Sequence, residues 1–420
     1  MDGLLVSLPE PRTPPRALTA RLSLMYFLDV AVIASYLPLL ALHMKRGLAF
    51  SEGQVSAVFA VGPVAALIAP PLAGFLADRV LSAHWLLSLI NLARAGALLC
   101  AARAHTFPEF FAAMATVSLV SAPSSVLTSA VAFSHLPAAR QIGKARVWGT
   151  LSWIFVLWAL GGYLARFGGL TAQLEHTWVA FVLGAAISLL QTAYSLALPR
   201  TTPMRLKKSP LAFVSALGLL RAPSFLALMV VSSLIAVMYQ FFVIGQTLFY
   251  TDPSGLGLDV AVASRASSVC QLLEALLFPF LGRLVQRFGI RRVLLFGLLP
   301  WPIRFLAYAY GHPGWLVILI QGLHGINVVC AFMGLQVAIE TLAPKHIRAS
   351  AQALYAVFFN GIGALSGQLM CGLLLAHYTL ARGGYDWRRI YLVPLALSLL
   401  AVSILIWGFR PPAVAPPAAR

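Results

Sequence analysis

Residues 199–221 read "PRTTPMRLKKSPLAFVSALGLLR", and the placement of that stretch decides the fold. It is the longest basic connection in the chain and stands between two regions in which apolar runs follow one another. A helix that crosses a bilayer needs roughly 20 apolar residues. Six such runs precede the segment, at about 18–44, 52–77, 83–104, 107–135, 144–167 and 176–198. Six follow it, at about 222–250, 260–287, 291–311, 314–342, 347–377 and 387–409. Several exceed the minimum, which calls for tilt or extension past the hydrocarbon. The expected organisation is an all-α membrane protein of twelve transmembrane helices. A disordered tail (1–17) leads into one six-helix bundle (18–198), then the linker (199–221), a second six-helix bundle (222–409) and a short tail (410–420).

Composition agrees with this reading. Of 420 residues, 60% are hydrophobic and only 10% charged, whereas soluble domains carry about a quarter charged residues. The mean hydropathy is +0.86. The net charge of +18 would suit a nucleic-acid binder, but its distribution does not. Arg94 and Arg304 lie inside apolar runs; of the other Lys and Arg, 20 fall on the side of the termini and the linker and 8 on the opposite side. That is the positive-inside pattern, with both termini cytoplasmic. No basic patch is interleaved with aromatic residues, so no nucleic-acid partner is expected. Cys100, Cys270, Cys330 and Cys371 all lie in apolar runs without metal-ligand spacing and read as packing residues. The Pro-rich start with Arg12 and Arg16 lacks the apolar core of a signal peptide. There is no nucleophile elbow, phosphate-cradling loop or metal pair. These absences speak against an enzyme, a resident cofactor and an ATP-driven pump.

The two halves repeat one another. "GFLADR" (74–79) ends the second run and "GRLVQR" (282–287) the eighth. Arg94 lies in the third and Arg304 in the ninth. "GKARVWGT" (143–150) opens the fifth and "KHIRASAQ" (345–352) the eleventh. Duplicated six-helix units mark a two-bundle secondary transporter.

Charged residues inside the runs carry the functional reading, since an ionisable group at bilayer depth faces a cavity, finds a partner or binds a proton. Glu274 lies in the middle of the eighth run, with Gln271 one turn earlier on the same face. Arg146 opens "RVWGTLSWI" (146–154), and Thr150 and Trp153 share its face at i+4 and i+7. Trp153 would stack on a substrate ring and Thr150 would hydrogen-bond it. Asp29 in the first run reads either as a second proton site or as a partner for Arg94 or Arg304. His324, Asn327 and Gln321 line one side of the tenth run. Tyr239, Phe242 and Gln246 share a face of the seventh, and Tyr239 and Phe332 are candidate aromatic walls.

"GFLADR" resembles the signature loop of the major facilitator superfamily. That resemblance implies that Asp78, Arg79 and Arg287 brace a cytoplasmic gate. A closer resemblance, to bacterial nucleoside:proton symporters, runs along nearly the whole chain. It is carried in order by "GFLADR", "RVWGTLSWI", "QLLEALLFPFL" (271–281), "IRFLAYAYG" (303–311), "CAF" (330–332), "IRASAQALY" (347–355) and "DW" (386–387). The lactose permease family is a more distant cousin, through Arg146, Trp153, Glu274, Arg304 and His324. The chain departs from the nucleoside family at Tyr239 and Phe242, where that family carries amide side chains, and at Met333, where it carries an aspartate. Asn327 stands where lactose permeases place a proton-carrying glutamate.

These resemblances imply a major facilitator fold working by alternating access, with proton-coupled symport of a small, nucleoside-like solute. Substrate would meet Arg146, Thr150, Trp153, Tyr239, Phe242, Gln271, Glu274 and Phe332. Glu274, Asp29 and His324 would handle protons, and Arg94 and Arg304 would serve charge pairing. The expected setting is the bacterial inner membrane, with substrate, protons and lipid as partners and a monomeric chain. A symporter of sugars or aromatic acids, a proton-driven exporter of amphipathic compounds and a non-transporting membrane sensor or assembly factor are the alternatives.

Overall fold

The computed structural model describes residues 16–79, 82–135, 139–198, 217–344, 347–381 and 383–410, without the side chains of residues 16, 70–79, 130, 133, 139–143 and 349. The tails up to residue 15 and from residue 411, and the linker from 199 to 216, lie outside the described residues. Among the described residues, twelve helices are long and apolar enough to cross a membrane. They are α1 (Ala17–Gly47), α2 (Glu52–Ala69), α3 (Ala83–Arg103), α4 (Phe107–Ser129), α5 (Lys144–Leu164), α6 (Val179–Leu196), α7 (Pro223–Thr251), α8 (Val260–Phe288), α9 (Ile290–Tyr310), α10 (Gly314–Leu342), α11 (Ser350–His377) and α12 (Trp387–Gly408). Local sequence sets some of the boundaries. Pro223 opens α7, where its missing N–H is an orphan in any case. Asp386 caps α12 by accepting from the Arg389 backbone N–H at 3.1 Å.

Polarity is distributed inside out relative to a soluble protein. Trp407, Leu373 and Trp315 are 81%, 71% and 67% exposed, while Arg94, Asn91, Gln191, Arg304, Gln321 and Asn327 are buried. In hydrocarbon, polar groups must be satisfied within the bundle while apolar side chains face lipid.

Among the described residues, three helices contain wide π-helical stretches that the apolar pattern did not foretell: His43–Gly47 in α1, Asn327–Met333 in α10 and Val357–Gly363 in α11. Such turns recur at functional sites because they re-aim side chains. The second of them carries Phe332 and Met333 along the central cavity.

The halves meet along two antiparallel helix pairs. On α5 and α8, residue numbers rise on one helix as they fall on the other. The Arg146 guanidinium lies over Phe278 at 5.8 Å, and Thr150 meets Glu274. Ser264 donates to the Leu157 carbonyl at 3.0 Å, Trp158 Nε1 to Ser268 Oγ at 3.0 Å, and Arg265 to the Gly161 carbonyl at 3.1 Å. On α2 and α11, Gly372 packs against Ser56 and Gly361 against Leu67. One end of this seam is latched. Arg46 pairs with Asp252 at 3.1 Å. Lys45 holds Glu52 at 2.5 Å, and Glu52 accepts from the Tyr385 hydroxyl at 3.3 Å. The Ala261 N–H donates to Gln173 at 2.9 Å. Among the described residues, every hydrogen bond between the halves lies at this latched end or at the level of the cavity.

Gly161 is required there by close approach. A Cβ at that position would sit 2.8 Å from the Ala261 carbonyl oxygen and 2.8 Å from Arg265 Cγ. A larger side chain must push α5 from α8, at about 1–3 kcal/mol for overpacking. Gly161→Leu is therefore expected to shift the protein away from this closed arrangement. The check is the disulfide yield between cysteines introduced as Leu157→Cys and Ser264→Cys, which should fall several-fold in the Gly161→Leu background.

Candidate functional site

A cavity of about 270 Å³ lies between the halves. Residues of α1 and α5 form its wall on one side, and residues of α7, α8 and α10 the other. All eight expected substrate-binding residues, Arg146, Thr150, Trp153, Tyr239, Phe242, Gln271, Glu274 and Phe332, line it, as does His324. Gln246, already placed on the Tyr239 face, lines the cavity as well. Several lining residues escaped the sequence reading. Phe278 and Ser267 are each one helical turn from a residue that was singled out, at i+4 from Glu274 and i−4 from Gln271. Helical spacing extended by one turn would have found them. Val30, Leu37 and Pro38 of α1 carried no signal beyond apolar character.

The two walls differ in chemistry. The α5 side offers Arg146 and Thr150. The opposite side is aromatic: the Tyr239 ring is 5.9 Å from Phe242 and edge-on to Phe332 at 5.4 Å. Across the gap, Thr150 Oγ1 donates to Glu274 Oε1 at 2.9 Å. Glu274 makes no ion pair within 4 Å among the described residues. Arg146 likewise pairs with no carboxylate there, and its side chain is exposed. Its counterpart Arg348 is tied within its own half, 3.9 Å from Glu340 and 3.4 Å from the Ala343 carbonyl. The hydrogen-bonding pattern turns the amide nitrogen of Gln271 to the Ser267 and Ser268 carbonyls, at 3.1 and 3.3 Å, and leaves its oxygen as an acceptor.

Gly325 fixes the depth of this wall. A Cβ there would fall on the backbone nitrogen of Glu274 and the carbonyl carbon of Leu273. Helices α8 and α10 therefore touch backbone to backbone beside Glu274. Gly325→Val would separate them, displacing both Glu274 and His324.

The intramembrane arginines have unlike surroundings. Arg94 is 3.6 Å from Asp29 and donates to Ser188 at 3.2 Å, Gln191 at 2.9 Å and Asn91. Asp29 also accepts from Ser124 at 2.6 Å and Gln191 at 3.4 Å. Asp29 thus lies within a closed polar cluster of the first half, outside the cavity lining, and this geometry supports its reading as Arg94's partner over that of a second proton site. Arg304 corrects the expectation of charge pairing. Among the described residues it has no carboxylate partner. Neutral groups hold it instead: Gln321 Oε1 at 2.9 Å, Asn327 Oδ1 at 2.9 Å and His324 Nδ1 at 3.1 Å. The faces of Phe242 and Trp301 lie 4.7 and 4.8 Å from its guanidinium carbon. Carbonyl oxygens and ring quadrupoles together take the place of a counter-ion. At the opposite, basic end, the side chains of Asp78 and Arg79 lie outside the described residues, so the gate expectation rests there on sequence alone. Arg287 is exposed, its guanidinium over the Phe288 ring at 5.4 Å.

A cavity between duplicated six-helix halves, with one intramembrane carboxylate bridging them, is the layout of a secondary transporter, and comparison with known proteins specifies which. The chain is 29% identical over 416 residues to the xanthosine permease of Escherichia coli (strain K12), covering 94% of this chain and 96% of that protein. It is 26% identical over 415 residues to the nucleoside permease NupG of the same organism, covering 94% and 96%. A crystal structure of a mutant of the nucleoside transporter NupG superposes with a TM-score of 0.83 at 24% identity, over 94% of this chain and 100% of that one. This last likeness establishes the major facilitator fold. The profile of the nucleoside H+ symporter matches residues 16–413, nearly the whole chain, and so this protein belongs to the nucleoside H+ symporter family.

Proposed function

We propose that the cavity takes up a nucleoside with a proton, that Glu274 carries the proton, and that Arg146, Thr150, Trp153 and Gln271 hold the substrate against the aromatic wall of Tyr239, Phe242 and Phe332. The single observation behind this is the Thr150–Glu274 hydrogen bond, which ties the proton-bearing candidate of one half to the substrate-facing helix of the other at 2.9 Å. A substrate entering between the walls must compete with Thr150 for the carboxylate. Protonation of Glu274 leaves Thr150 a neutral, weaker acceptor, so the contact survives but the halves exchange partners at lower cost. Substrate and proton thus act on one element, which is the condition for coupling.

The basic end is assigned to the cytoplasm of a bacterial inner membrane, with both termini there and the chain acting as a monomer. The latched end then faces outward, and the structure represents a state closed to the outside. Import is the corresponding direction under an inward proton gradient.

The experiment is uptake of a labelled panel of nucleosides, disaccharides and aromatic acids into proteoliposomes, with and without an imposed proton gradient. Nucleosides should accumulate only with the gradient. Accumulation of a sugar or an aromatic acid in their place, or gradient-driven efflux alone, contradicts the reading.

A further inference from the structure

His324 lines the cavity, and its two ring nitrogens have separate fates. Nδ1 lies 3.1 Å from Arg304 Nη1. A guanidinium has donors only and stays charged, so Nδ1 must accept, and the neutral ring carries its proton on Nε2. A second proton on Nδ1 would set N–H against N–H beside a cation that has no carboxylate partner among the described residues. Arg304 cannot readily turn away. It is 1% exposed, its Nε is fixed by Gln321 and its Nη1 by Asn327, and Phe242 and Trp301 cover its guanidinium.

The ring plane is fixed as well. It stacks on Phe242 at 4.4 Å and 23°, and lies at 6.0 Å and 10° to Tyr239. The backbone contact at Gly325 holds the next residue against Glu274. Nε2 has no protein partner among the described residues, while the ring forms part of the cavity wall.

We propose that His324 presents Nε2–H as a fixed hydrogen-bond donor to an acceptor on the nucleobase, a ring nitrogen or a carbonyl oxygen, and that Arg304 is a positioning residue that imposes this tautomer. The wall around His324 is flat and aromatic, which suits the base, whereas Arg146, Thr150 and Glu274 offer the polar groups a ribose needs. His324 thereby helps choose the base and does not carry the coupling proton. The proposal rests on the nucleoside reading of the cavity. A site built to hydrogen-bond a substrate atom rejects analogues that lack it more strongly than an apolar wall can.

The test uses the full-length protein in proteoliposomes, with the 1-, 3- and 7-deaza analogues of adenosine, each lacking one ring-nitrogen acceptor, and the 6-unsubstituted purine riboside, which lacks the 6-carbonyl oxygen of inosine. His324→Asn keeps an oxygen near Nδ1 for Arg304 and removes the Nε2–H. His324→Gln places an amide N–H near Nε2. In the wild type, KM should rise about tenfold for one analogue, the change expected for one lost hydrogen bond of ordinary strength. His324→Asn should raise KM for the parent nucleoside by a similar factor, no longer discriminate that analogue, and still accumulate substrate under a proton gradient at saturating concentration. His324→Gln should recover part of the discrimination. If His324→Asn fails to fold, the wild type and His324→Gln decide, and a wild-type KM that is flat across the panel overturns the proposal. So does His324→Asn discriminating as the wild type does, or losing accumulation while counterflow stays intact, which would make His324 the proton carrier. A wild type that takes up no nucleoside overturns the nucleoside reading, and this assignment with it. Nucleoside uptake with a flat KM panel, or with His324→Asn discriminating as the wild type does, overturns this assignment alone, whereas accumulation lost with counterflow intact also removes Glu274 as the sole proton carrier.

Discussion

Glu274→Gln should abolish gradient-driven accumulation of nucleoside while leaving counterflow exchange in place. Glutamine keeps an oxygen to accept from Thr150 Oγ1, the partner that lies 2.9 Å from the carboxylate, so the contact between the halves survives. It cannot take up and release a proton, so substrate movement is cut from the gradient. Each pH unit is worth about 1.4 kcal/mol per coupled proton, or roughly tenfold in accumulation. Under a one-unit gradient the wild type should concentrate substrate by up to about that factor and the variant should stop near equilibrium. Accumulation and counterflow of a labelled nucleoside, measured side by side in proteoliposomes, check this. Equal accumulation by both proteins would remove Glu274 from the coupling step.

Arg94→Ala should be the most damaging substitution for stability. It leaves Asp29 buried without its cation, and it orphans acceptors on Asn91, Gln191 and Ser188 that now face the guanidinium. Removing one partner of a buried pair costs about 3–5 kcal/mol, because a charge is left uncompensated. That is a large share of the roughly 5–15 kcal/mol by which a folded protein is typically stable. Asp29→Asn should be milder, since Ser124 and Gln191 still bond the side chain that remains and Arg94 keeps three neutral partners. Folded yield and thermal unfolding in detergent check the order. An Arg94→Ala variant as stable as Asp29→Asn would contradict it.

The spans were legible because twenty apolar residues in a row have few other uses, and the division into halves because Arg94 and Arg304, or "GFLADR" and "GRLVQR", recur at matching positions. The cavity was legible for a different reason. Intramembrane charge drew attention to Glu274 and Arg146, and the family resemblance added Tyr239, Phe242 and Phe332, which as aromatic residues in a membrane helix would otherwise read as packing. What stayed hidden depends on how helices are rotated and how closely they approach. Nothing in a linear pattern says that Gly325 must lie on the Glu274 backbone or Gly161 on the Ala261 carbonyl. Arg94 and Arg304 look equivalent in sequence, yet one faces an aspartate and the other, among the described residues, neutral groups. Lys45 and Arg46 read as charges at a membrane edge, and only the folded chain brings Arg46 to Asp252, 206 positions away.

The most direct measurement is proton flux accompanying nucleoside entry, followed with a pH-sensitive dye trapped inside proteoliposomes. Adding nucleoside outside, with no gradient imposed, should acidify the lumen of vesicles containing the wild type. Vesicles containing Glu274→Gln should show no acidification while labelled nucleoside still exchanges. Nucleoside entry without proton movement in the wild type, or undiminished acidification in Glu274→Gln, would contradict coupling through this carboxylate.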